Sequence, residues 1–127
     1  MVKIALVGPE IERGSKLIDA LDAAKSRVDV ALWAVLPEYE EWRIVLASRR
    51  LDKLDRMEAY GVLHGAEKTA GFTPYNTPSI MILPMSDPLI KDLRRRYAKA
   101  GNVEGMRPGG QMIGDRFIED GYVYRIT

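Results

Sequence analysis

The chain has 127 residues, 46% of them apolar and 29% charged, a composition that builds one ordinary core over residues 1–127 and excludes disordered and fibrous classes. Its 19 Lys and Arg nearly cancel 18 Asp and Glu, so no molecule-wide field steers it toward nucleic acid or anionic lipid, and any electrostatic function must be local. Cysteine is absent, which excludes disulfides, thiol nucleophiles and thiolate metal sites.

In chain order, Val2 to Val7 is a candidate short strand stopped by Gly8-Pro9. Ile11, Leu17, Ile18, Leu21 and Ala24 then recur at helical spacing, which predicts a first helix ending near Ser26. Val28 to Leu36 is apolar at both alternating sets of positions, as a central strand covered on two faces requires. Trp42 to Ala47 reads as its hairpin partner. Leu51 to Lys68 reads as one helix with Leu51, Leu54, Met57, Tyr60 and Leu63 inward, although Gly61 and Gly65 each cost about 1 kcal/mol relative to alanine.

Ser79 to Leu83 is a third strand. Asp87-Pro88 marks a helix start, with aspartate accepting from free N–H groups and proline at the first helical position. Leu89, Ile90, Leu93 and Tyr97 of this third helix face inward, and Gly101 closes it. At the end, Asp120-Gly121 between Phe117-Ile118-Glu119 and Tyr122-Val123-Tyr124 is a hairpin turn signal. The predicted fold is α+β: a mixed, largely antiparallel five-stranded sheet, with the N-terminal segment as a sixth candidate, packed with three helices.

The third helix also carries the main functional candidate. Lys91, Arg94, Arg95, Arg96 and Lys99 stand against the single Asp92, and Lys91, Arg95 and Lys99 form one row opposite the apolar face. Such a row first suits a solvated helix end stabilised by the macrodipole, and it could also lie along an anionic partner. The expected hairpin register places Arg116 opposite Arg125, a like-charge pair that needs nearby carboxylates or a bridging anion. Tyr39 and Trp42, beside Glu38, Glu40 and Glu41, are candidate aromatic anchors for a protein partner.

Catalytic candidates are sparse. Gly8 to Lys16 fails as a phosphate loop, with five residues between its glycines, a Ser-Lys order and two glutamates in the cradle. His64 is the only histidine, and Asp115, Glu119 or His64 with a divalent ion would be needed for a hydrolase or nuclease, the rival reading. No cofactor or metal site is expected.

Ala31-Leu32-Trp33, Pro37, Trp42-Arg43, Ala47-Ser48, Asp87-Pro88-Leu89, Phe117-Ile118-Glu119-Asp120 and Tyr122-Val123-Tyr124-Arg125 resemble segments of a family of short bacterial proteins with no assigned activity. The resemblance runs from about Ile11 onward and implies a complete stand-alone protein, without a catalytic residue or cofactor. No stretch approaches the ~18 apolar residues of a membrane span, and Ile4 to Val7 is too short for a signal-peptide core, so a cytoplasmic protein without a membrane partner is expected. The expectation is a non-enzymatic interaction or regulatory module, with a protein partner or self-association ahead of nucleic acid.

Overall fold

The structure, a computed structural model, describes residues 5–6, 8–39 and 41–127. Its elements are α1 (Gly8–Ala23), β1 (Val30–Val35), β2 (Arg43–Ala47), α2 (Arg49–Asp52), α3 (Arg56–Thr69), β3 (Ser79–Ile82), α4 (Pro88–Tyr97), β4 (Gln111–Ile113), β5 (Arg116–Ile118) and β6 (Asp120–Ile126). Four strands form one mixed sheet in the order β3-β2-β1-β6, and β4 and β5 form a separate ribbon. The class is α+β, with four helices rather than three and four plus two strands rather than five in one sheet among the described residues. The candidate N-terminal strand falls largely outside the described residues.

β1 is the central element. All six of its residues are buried, and its alternating side chains feed two cores. Val30, Leu32, Ala34 and the following Leu36 pack with Leu89, Ile90 and Leu93 of α4 and with Ile113 and Ile118 of the ribbon. Ala31, Trp33 and Val35 pack on the opposite face with Leu17, Ile18 and Leu21 of α1 and Leu63 and Ala66 of α3. The protein is therefore layered, with α1 and α3 on one face of the sheet and α4 with the ribbon on the other.

β1 and β2 are the expected antiparallel pair, in register from Val30 opposite Ala47 to Ala34 opposite Arg43. β3 lies parallel to β2, a geometry that a tight turn cannot supply and that the intervening helices bridge. That crossover is two helices where one was expected. Ser48 caps α2, its hydroxyl accepting from Leu51 N at 3.3 Å and donating to Arg27 O at 2.6 Å. Asp55 and Glu58 form a reciprocal capping box that restarts the helix, with bonds of 2.8 and 3.2 Å. The restart rotates the inner row to Ala59, Leu63 and Ala66 and leaves Met57 86% exposed.

The C-terminal hairpin is also corrected. Asp120-Gly121 is no turn: both residues belong to β6 and lie opposite Val35 and Ala34 of β1. A Cβ on Gly121 would stand a tight 3.2 Å from Pro108 and Trp33 O, and Asp120 pairs with Arg107 at 2.8 Å. The tight connection is instead Gly114-Asp115, between Ile113 and Arg116. Gly114 has φ +62°, and a Cβ there would meet Pro88 C and O at 2.5 Å. Arg116 consequently faces Ile113 and Arg125 faces Ala31, so the expected arginine pair does not exist.

A β-bulge in β6 shifts register between Ala31, opposite Arg125, and Leu32, opposite Val123. The extra residue lets Tyr122, Tyr124 and Arg125 all reach the α1 face. There Trp33 Nε1 donates to Tyr124 Oη at 2.7 Å, which donates to Ile11 O at 2.6 Å. Burial pushes the Tyr124 phenol above its ordinary range, so it remains a donor.

Candidate partner-binding face

α4 starts as its sequence dictates. Asp87 accepts from Leu89 N at 2.9 Å and Pro88 occupies the first turn. With Leu89, Ile90 and Leu93 held against the sheet, helical geometry turns Lys91 and Arg95 outward, and Lys99 follows in the turn after Tyr97; all three are exposed.

All three arginines of this cluster are bonded within the fold, the exposed Arg95 through its donation to Asp92. Arg94 Nε donates to Thr127 O at 2.8 Å, tying α4 to the end of β6. Arg96 donates to Gln111 Oε1 at 2.8 Å and to Met112 O at 3.0 Å, and pairs with Asp92 at 3.0 Å. Asp92 is the hub of this flank. It accepts from Gly114 N at 2.8 Å and pairs with Arg95 as well as Arg96. The Gly114 N–H, followed by the two guanidinium groups, pulls its carboxyl down to about 2 against an opposing contribution from burial.

These bonds clamp the β4–β5 ribbon against the Asp92/Arg96 side of α4, in the same layer. Ile113 and Ile118 point into the core, whereas their neighbours Met112 and Phe117 form a cross-strand pair that is 53% and 40% exposed. Both members look away from the sheet, as the Lys91/Arg95/Lys99 row does. An apolar pair and a row of cations thus share one outer layer. Sequence reasoning missed Met112 and Phe117, because the misplaced turn concealed the in-out alternation at 112–113 and 117–118 that marks them.

The remaining candidates are dispersed. Arg125 is on the opposite face of the sheet, donating to Asp22 at 2.8 and 3.1 Å and to Val28 O at 2.7 Å. Burial alone would raise the Asp22 carboxyl, but Arg125 and the Val28 N–H hold it below its ordinary value. Arg116 is half-buried on β5, its Nε without a hydrogen-bond partner among the described residues. Trp42 is a buried member of the α1 and α3 core, not an exposed anchor. Tyr39 is half-buried beneath the Arg43 guanidinium at 3.7 Å. Trp42 stands immediately ahead of β2 and is covered by that core, so it presents no aromatic edge.

Nor do the rival catalytic residues meet. Asp115 is exposed at the ribbon tip, and Glu119 is half-buried where β5 passes into β6. His64 is on α3, across the sheet from the ribbon, 3.9 Å from Glu67. Burial raises the Glu67 carboxyl, with His64 opposing. Among the described residues no group of three His, Cys, Asp or Glu side chains could hold a metal ion, and no helix is long and apolar enough to cross a membrane. Comparison with protein-family models, curated proteins and solved structures finds no match.

Proposed function

We propose that this chain is a cytoplasmic, non-enzymatic interaction module that docks an acidic protein partner on the face made by α4 and the β4–β5 ribbon. One observation carries the reading: the exposed Met112/Phe117 pair shares its layer with the outward cations Lys91, Arg95 and Lys99. Protein interfaces combine apolar anchors, with Met, Phe and Arg enriched, and a charged rim. The cations speed encounter with an acidic segment, and the apolar pair slows its departure. Arg94 and Arg96 have structural duties and serve the face indirectly, by fixing the layer that presents it.

The test is fluorescence anisotropy with a labelled peptide of alternating Glu and Leu/Phe residues, beside a single-stranded DNA of equal length, each at two salt concentrations. The peptide binds more tightly at low salt, and both Lys91→Glu/Lys99→Glu and Phe117→Ser weaken it at least tenfold. DNA binding tighter than the peptide moves the partner to nucleic acid. Concentration-dependent light scattering that Phe117→Ser abolishes assigns the pair to self-association instead. Peptide affinity unchanged in both variants removes the proposal.

A further inference from the structure

On the other side of the sheet, a cavity of about 330 Å³ opens between α1 and β6, a volume within the small-molecule range. Its lining includes Glu12 and Asp19 from α1, Glu104 from the loop ahead of the ribbon, and Tyr122, Tyr124 and Arg125 from the bulged strand. The two tyrosine rings stand 5.4 Å apart at 71°, edge to face, and both line the cavity. Tyr124 is fixed in place by its bonds to Trp33 and Ile11 O, and a Cβ on Gly14 would meet its hydroxyl at 2.2 Å.

Among the described residues the charge lining this space is mostly negative. Arg125, the lone cation among the described lining residues, pairs with Asp22 at 2.8 Å and also lies within electrostatic reach of Asp19. Glu12 has only Lys16 at 4.0 Å, both side chains well exposed, a contact of little energy. Asp19 and Glu104 form no ion pair among the described residues. Three carboxylates beside two tyrosine rings attract a cation, and ring faces favour alkylammonium groups over strongly hydrated metal ions. The carboxylates also fail to gather as a ligand set for a metal. Glu12 and Asp19 are seven residues apart on one helix face, about 10 Å at 1.5 Å per residue, so the negative charge is spread along a line.

We propose that this cavity binds a linear aliphatic polyamine, its ammonium groups shared between Glu12, Asp19 and Glu104 and its methylene chain lying against Tyr122 and Tyr124. The site is independent of the α4 face, being on the opposite side of the sheet.

The test is isothermal titration and amide NMR with spermidine at fixed ionic strength. Binding is one to one, and the shifted amides belong to residues 11–19, 104–105 and 122–125. Glu12→Gln/Asp19→Asn weakens it at least tenfold, and Tyr122→Leu weakens it about threefold or more. Lys91→Glu/Lys99→Glu leaves it unchanged. Circular dichroism confirms that each variant is folded, which the exposure of Glu12 and Asp19 favours. Four results overturn the proposal: no binding by the native chain, equal binding by Glu12→Gln/Asp19→Asn, displacement by Mg²⁺ at concentrations equal to spermidine, or equal affinity for N-acetyl-lysine amide. The last would give the cavity to a partner's lysine instead.

Discussion

Replacing Gly14 with alanine sets helix propensity against packing. In an open helix interior the change favours folding by about 1 kcal/mol. At Gly14 the new Cβ would lie 2.2 Å from Tyr124 Oη and 2.9 Å from Cζ, so the ring must retreat. Retreat breaks the bonds to Trp33 Nε1 and Ile11 O, each worth about 1 kcal/mol net, and strands a buried indole N–H at about 1 kcal/mol more. The difference is a loss of about 2 kcal/mol. With an unfolding entropy of ~2.1 cal/mol/K per residue, that lowers Tm by about 7 °C. Urea and thermal unfolding followed by tryptophan fluorescence measure it, with Gly61→Ala as the control, since nothing lies within 4 Å of a Cβ there. The loss should disappear when Gly14→Ala is made in a Tyr124→Leu background. If Gly14→Ala stabilises the native chain as Gly61→Ala does, the Tyr124 lock is not what the geometry indicates.

Gly114→Ala should cost about 3 kcal/mol, combining a left-handed backbone with a backbone clash at 2.5 Å, and should raise exchange of the Ile113 and Ile118 amides before global unfolding. The Asp92 carboxyl, followed by carbon-detected NMR, should titrate near 2, with the Gly114 amide shift tracking the same midpoint. Because the folded value lies below the unfolded one, the stability Asp92 contributes is complete above about pH 4 and is lost as pH falls toward 2; titration at the ordinary 3.8 would contradict the clamp. Asp22→Asn should destabilise by about 2 kcal/mol in denaturant unfolding, as a charged partner of Arg125 is lost. The Asp22 contribution has the same sign, being lost as pH drops below its ordinary carboxylate range, so the variant should show a shallower acid limb.

Much of the fold was legible because local chemistry and tertiary demand agree. The doubly apolar run from Val28 to Leu36 named the central strand, and Asp87-Pro88 named the start of α4. Failures occurred where two local signals compete. Gly114-Asp115 and Asp120-Gly121 each offer a tight turn, and only the close approach of Gly114 to Pro88 and the pairing of β6 with β1 decide between them. The break at Asp55 was readable from its Asp-x-x-Glu capping spacing but was masked by a continuous apolar period around it. The parallel placement of β3 has no local signature. At the candidate face, the cations of α4 were visible as residues, while the bonds that commit Arg94 and Arg96 depend on Thr127, Gln111 and Met112, 15 to 33 positions away.

The placement of β6 beside β1 has a kinetic consequence. β1 lies inside the sheet, yet its second neighbour consists of residues 120–126, made about ninety positions later. Until that segment leaves the ribosome, one side of the most apolar strand stays unsatisfied, while helices and the β1–β2 hairpin can already form. Nascent chains are thus exposed to edge-to-edge association over the interval between β1 and β6, and slow elongation or a stall after β5 would favour aggregation over completion.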